Sequence, residues 1–78
     1  MNTKIKFLQI VLSDLISKRD TLELDLNRVL NDDSMITENK KTEFDYILST
    51  ITVTNNKIQM LSEYMSAFNN VDTNNNNE

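Results

Sequence analysis

The chain has 78 residues, with 12 acidic and 8 basic side chains and a net charge of −4. It contains no His, Cys, Gly or Pro, which excludes Cys–His and Ser–His catalytic pairs, thiolate metal sites and Gly-rich phosphate loops. We therefore predict a protein that is not an enzyme and that uses no cofactor or metal. The acidic balance makes nucleic acid and anionic membrane poor candidates for its main partner.

The absence of Gly and Pro also bears on the fold. Tight β-turns depend on residues that adopt a positive φ or hold φ fixed, which are the properties of Gly and Pro. Long helices joined by a short connection need neither residue. The composition therefore predicts an all-α fold.

The first predicted helix covers about residues 3–31 and has apolar side chains at the a and d positions of a heptad repeat. These side chains are Ile5, Leu12 and Leu26 at a, with Leu8, Leu15, Leu22 and Val29 at d. Arg19 occupies the remaining a position and interrupts the pattern. This spacing is typical of the apolar seam of a coiled coil.

The second predicted helix covers about residues 37–69, after a polar connection at about residues 32–36. Its heptad positions are Phe44, Ile51, Ile58 and Met65 at a, with Ile47, Thr54, Leu61 and Phe68 at d. Candidate N-caps of this helix are Asp32, Asp33, Ser34 and Thr37. So short a connection implies antiparallel helices. Residues 71–78, VDTNNNNE, lack apolar periodicity and are predicted to form a disordered polar tail.

Residues 49–56, STITVTNN, resemble a β-strand because Thr alternates there with Ile51 and Val53. A single strand would leave its backbone groups unpaired, and no second β-rich segment exists in the sequence. We therefore predict a helix here, in which Thr hydroxyls can bond to carbonyls one turn earlier and bend the helix. The β-branched residues should make this the softest part of the second helix.

One antiparallel register places the two polar seam residues, Arg19 and Thr54, in the same layer. In this register Leu12 pairs with Leu61, and every other layer is apolar on both sides. A shift of one heptad would bury the Arg19 guanidinium against a hydrophobic side chain, which is costly. We interpret Arg19 and Thr54 as a polar layer that fixes the register. The alternative is that Arg19 contacts an acidic group on a partner.

A second stripe of side chains follows the second helix at helical spacing, outside the seam. It consists of Tyr46, Thr50, Val53, Lys57, Met60, Tyr64 and Ala67. One hairpin cannot bury this stripe as well as the seam, so we predict that Tyr46, Val53, Met60 and Tyr64 bind a partner or a second copy. The alternative interface is the apolar N-terminal half of the first helix, around Phe7, Val11 and Ile16.

The prediction is thus an antiparallel two-helix, coiled-coil-like hairpin over residues 1–70, which dimerises into a four-helix bundle or docks on a partner. Its expected function is non-enzymatic protein binding, as an adaptor, assembly factor, complex subunit or small inhibitor of a host protein. The alternatives are a nucleic-acid-binding hairpin dimer and an acidic DNA mimic. The richness in Asn, Lys and Ile is typical of A+T-rich genomes, small viral ones among them. We expect a cytoplasmic protein, located in the host cytoplasm if it is viral.

Overall fold

Two amphipathic segments of the sequence form two helices that pack against each other. The computed structural model describes the backbone of residues 3–77 and the side chains of residues 3–68. The helices are α1 (Thr3–Leu30) and α2 (Glu38–Asn77), and they form a rod of 64 × 15 × 15 Å. The predicted all-α hairpin is confirmed, and the described part of the chain contains no strand.

The seam between the helices consists of the predicted a and d residues. Each of them is half-buried or buried in the structure. The best-packed cluster is Val29, Ile47 and Ile51, with Leu22, Leu26 and Phe44 packed against it. These six side chains are the members of the three layers that the predicted register places nearest the connection. The packing therefore agrees with that register, as does an ion pair between the helices, in which Arg28 Nη2 donates to Glu43 Oε2 at 3.0 Å.

The polar layer is held without a hydrogen bond between its two members. Thr54 is only 2% exposed, and its hydroxyl donates to the carbonyl oxygen of Thr50 at 2.8 Å. The half-buried Arg19 extends its guanidinium to the Asp20 carboxylate, at 3.3 Å. Among residues 3–68, no hydrogen bond joins Arg19 to Thr54. Any preference for this register therefore comes from the cost of slipped packings, not from a bond inside the layer.

The strand-like segment at residues 49–56 is helical, as predicted. The hydroxyls of Thr50, Thr52 and Thr54 each donate to the carbonyl four residues earlier, at 2.8, 3.0 and 2.8 Å. Each hydroxyl is therefore satisfied within α2, which allows Ile51 and Thr54 to face α1 without an unpaired polar group.

The connection is held by contacts at the start of α2. Of the four candidate N-caps, the structure uses Thr37, whose Oγ1 accepts from the Lys40 backbone N–H at 3.1 Å. The Lys40 ammonium reaches back across the connection and donates to the Asp32 carbonyl at 2.6 Å. Since that carbonyl lies just beyond the end of α1, Lys40 ties the start of α2 to the end of α1.

The C-terminal end of α2 differs from the prediction, because the helix continues to Asn77 instead of ending near residue 69. The segment contains neither Gly nor Pro to stop a helix, and Asn costs less than about 1 kcal/mol relative to Ala in a helix. The disordered tail predicted at residues 71–78 overlaps this helix, which includes the backbone of residues 71–77, and residue 78 lies outside the described residues.

The register is tested by a pair of introduced cysteines, in a chain that has no native Cys. Leu12→Cys with Leu61→Cys should oxidise to one intramolecular disulfide, because opposed seam positions bring the two Cα atoms within about 7 Å. Gel mobility without reductant measures the product. The control is Leu12→Cys with Phe68→Cys, one heptad away, which should stay reduced. Efficient closure of the control pair would show that the register is shifted.

The polar layer is tested by Arg19→Leu. We expect an equal or higher thermal midpoint, by about 1 kcal/mol in unfolding free energy, because a half-buried charge is replaced by apolar surface. The loss of the Arg19–Asp20 pair should cost little, since the Asp20 side chain is largely exposed. Lys6→Leu, which removes a charge at an exposed position of α1 outside the seam, is the control. A large drop in the midpoint of Arg19→Leu alone would contradict the proposed role of this layer.

Candidate protein-contact surface

The hairpin has two long flanks, one on each side of the seam, and their chemistry differs. In an antiparallel pair of helices, the c and g positions of both helices line one flank, and the b and e positions line the other. All b positions are polar and exposed: Lys6, Ser13, Asp20 and Asn27 on α1, and Asp45, Thr52, Gln59 and Ser66 on α2. The c and g positions include Phe7 and Val11 on α1 and Tyr46, Val53, Met60 and Tyr64 on α2. We call these six residues the apolar flank.

The four contact residues predicted on α2 are all open to solvent. Tyr46 is 68% exposed, Val53 51%, Met60 62% and Tyr64 58%. They follow one another along a single side of α2, next to the seam but outside it. Solvent-facing aromatic and aliphatic side chains in such a row are available for contact with another protein.

The structure also brings α1 residues into this surface. Tyr64 lines a groove with Phe7, Leu8 and Leu61, which joins the two helices near the start of α1. An adjoining groove on the same side is lined by Val11, Met60 and Tyr64. Tyr64 therefore lies where the contributions of α1 and α2 meet.

The sequence pattern predicts the α2 stripe and the N-terminal half of α1 as alternative interfaces. The structure joins Phe7 and Val11 to the α2 residues, and it leaves Ile16 half-buried at an e position, on the opposite flank. The heptad positions could have identified this surface, since Phe7 and Val11 occupy c and g positions, as the residues of the α2 stripe do. It becomes readable once the helices are known to be antiparallel.

A smaller apolar patch on the other flank was not predicted. Leu30, Ile36 and Leu48 are exposed and line a groove at the end of the hairpin that carries the connection. Lys40, Lys41 and Asp45 line the same groove. These charges interrupt the patch, so it is shorter and more polar than the apolar flank.

Burial in the seam decreases along the hairpin. The four most buried residues, Val29, Ile47, Ile51 and Thr54, all lie in the half that carries the connection. In the other half, which we call the open end, every seam residue is only half-buried; this set is Ile5, Leu8, Leu12, Leu15, Ile58, Leu61, Met65 and Phe68. The widest part of the apolar flank therefore lies beside the least buried part of the seam.

Charges of both signs border the apolar flank. Lys57 lies between Val53 and Met60 along α2, and it lines the groove that contains Val11. Along α1, the c and g positions beyond Val11 carry Asp14, Lys18, Thr21, Asp25 and Arg28. Because acids and bases alternate there, these positions form no basic stripe of the kind that binds a phosphate backbone.

The acidic residues of the connection are engaged with neighbouring groups of the same chain. The Asp32 carboxylate accepts hydrogen bonds from the Ser34 backbone N–H at 3.0 Å and from the Ser34 hydroxyl at 2.9 Å. These bonds, the backbone one first, lower the pKa of Asp32, helped by the charges of Lys40 and Arg28 and opposed by desolvation. Glu38 pairs with Lys41 at 2.7 Å. Over the described residues, no three acidic side chains are grouped to hold a metal ion.

Comparison with known protein families, curated proteins and solved structures found no match. Within the described residues, neither helix has an apolar stretch long enough to span a bilayer. The function is therefore inferred from the surface of the hairpin.

The Asp32 turn predicts a pH-dependent difference in stability between the wild type and Asp32→Asn. Because the folded-state pKa of Asp32 is lowered, its charge stabilises the fold above the unfolded-state pKa of about 3.9, and this contribution is lost as the pH falls through the folded-state value. Thermal midpoints measured from pH 7 to pH 2 should therefore converge at the acidic end. Asp33→Asn is the control for net charge, since it leaves the Ser34 hydrogen bonds in place. Equal pH dependence in both variants would show that the Ser34 contacts are not the cause.

Proposed function

We propose that the chain is a non-enzymatic, protein-binding helical hairpin whose contact surface is the apolar flank. The observation that supports this function is the continuity of the flank at the open end, where Phe7 and Val11 of α1 adjoin Met60 and Tyr64 of α2. Contiguous apolar surfaces of this kind on small proteins mark interaction sites. The polar b positions of the other flank give the surface a defined side.

The energetics of docking favour the same side. The two tyrosines combine a large apolar ring with a hydroxyl that tolerates the rim of an interface, and such residues often dominate binding energy. A partner on the open end would also cover the exposed edges of half-buried seam residues such as Leu8 and Leu61. Binding would therefore stabilise the hairpin as well as attach it.

Binding of this kind suits an adaptor, an assembly factor, a complex subunit or a small inhibitor of a host protein, since each needs only a shaped surface. A cytoplasmic location, in the host cytoplasm if the protein is viral, belongs to the same proposal. The nucleic-acid-binding and DNA-mimic alternatives have less support. The first requires aligned bases and the second a dense acidic face, whereas the net charge is −4 and both signs are interleaved along the hairpin.

The proposal is tested by photo-crosslinking in cells that produce the protein. A benzophenone amino acid replaces Tyr64 on the apolar flank or, in the control chain, Gln59 on the opposite flank, where the side chain is also exposed. Ultraviolet light should give protein adducts of discrete mass from position 64 and few from position 59. Equal adduct formation from both positions, or none from either, would count against the proposed surface.

A matched pair of double variants then locates the contact. Val53→Lys with Met60→Lys should abolish the adducts, because two charges would be desolvated within the contact. Thr52→Lys with Gln59→Lys adds the same charge one residue earlier, at exposed positions of the opposite flank, and should leave the adducts unchanged. Circular dichroism should show equal helicity in both variants. A loss of helix in the first variant alone would mean that the flank is core.

A further inference from the structure

We infer that the occupant of the apolar flank is a second copy of this chain, seated with both open ends at the same end of the assembly. The two hairpins then form a four-helix bundle with a twofold axis parallel to its length. This inference rests on the proposed function, because it names the partner of the same surface.

The uneven chemistry of α1 determines the direction. Near the open end its c and g positions carry the apolar Phe7 and Val11, with Lys4 in the first turn, whereas near the connection they carry the charged Asp25 and Arg28. A twofold axis across the hairpin would lay α1 antiparallel on its own copy and press Phe7 and Val11 against those charges. Desolvating charged groups against apolar side chains is costly. An axis along the hairpin avoids this contact for Phe7 and Val11, and it places Asp25 and Arg28 level with Tyr46 and Glu43 of the second copy.

With the axis along the hairpin, α2 of one copy lies on α1 of the other, and positions at equal height face each other. At the open end, Met60 and Tyr64 then pack on Phe7 and Val11 of the second copy, and the symmetry repeats this contact. The same four residues already meet within one hairpin, where they line adjoining grooves. The bundle therefore closes the grooves with residues of matching chemistry.

The charges also match in this arrangement. Within one hairpin, the equal-height pair Arg28 and Glu43 is bonded at 3.0 Å with both side chains still partly exposed, so each can take part in a second pair. Lys57 comes level with the interval between Asp14 and Lys18 of the second copy. Its flexible ammonium can turn to the Asp14 carboxylate. Glu43 and Lys57 of α2 thus each lie near an opposite charge of the second copy, and Met60 and Tyr64 lie near its apolar residues.

The area is sufficient for a stable dimer. The 28 residues of α1 extend about 42 Å, and two adjacent helices are about 20 Å wide, so one flank offers about 800 Å². Stable interfaces bury about 800 Å² on each partner. An overlap of the open ends alone would use about half of this area and would leave Tyr46 and Val53 exposed.

The test measures mass first and orientation second. Light scattering after size exclusion should give twice the chain mass of 9.1 kDa. A nitroxide is then attached through Met35→Cys, a position in the connection that is 82% exposed, in a chain with no other Cys. Pulsed electron–electron double resonance should give a distance below about 35 Å between the nitroxides of the two copies, since the two connections lie at the same end of the bundle. Antiparallel hairpins would give more than about 45 Å, because each rises 1.5 Å per residue along its helices.

Variants separate this inference from the proposed function. Val53→Lys with Met60→Lys should halve the measured mass, while Thr52→Lys with Gln59→Lys should leave it unchanged. A dimer that persists in the first variant, or a distance above 45 Å, would overturn the inferred arrangement. A monomeric wild type would show that a second copy does not occupy the apolar flank. The proposed function would still stand in that case if position 64 crosslinks to a different protein, and it would fall with the inference if position 64 crosslinks to nothing.

Discussion

Two helices that lie side by side touch along a line, so each buries only a strip about one side chain wide. This geometry governs the whole molecule. Among residues 3–68 only Val29, Ile47, Ile51 and Thr54 are buried, and most of the seam keeps an edge in contact with water. A third element is needed to cover that edge, and the chain supplies none in the described residues. A partner on a flank of the seam, as proposed, would therefore also stabilise the hairpin.

The two polar residues of the seam form their hydrogen bonds within their own helices. The register is therefore favoured by the cost of slipped packings and not by a bond inside the polar layer. Thr54 uses the Thr50 carbonyl of its own helix, and Arg19 uses its neighbour Asp20. Neither needs a particular residue on the opposite helix. A slipped register would still put a guanidinium beside a hydrophobic side chain, and this cost acts without any stabilising bond in the native layer.

The heptad repeat was sufficient to predict the hairpin, the seam residues and the exposure of Tyr46, Val53, Met60 and Tyr64, because burial in two packed helices follows position on the helix. Three features required the structure. Four side chains were chemically suited to cap α2, and only geometry selects Thr37. The length of α2 was hard to predict, because the low helix propensity of Asn is a small effect and the segment has no Gly or Pro to end the helix. The position of Phe7 beside Tyr64 depends on which sides of the two antiparallel helices lie next to each other. This follows from the packing of the two helices and not from either helix alone.

The unequal apolar surfaces of the two flanks also bear on what the proposed hairpin can assemble into. If both flanks were apolar, each hairpin could bind a neighbour on either side, and stacking would continue without an end. The b positions of the other flank are polar and exposed, and the small patch of Leu30, Ile36 and Leu48 is bordered by Lys40 and Asp45. A single apolar flank can be covered once, by one partner, and the assembly is then closed. Under the proposed function, the polar b positions would restrict the hairpin to one contact, because they disfavour a second partner on the other flank.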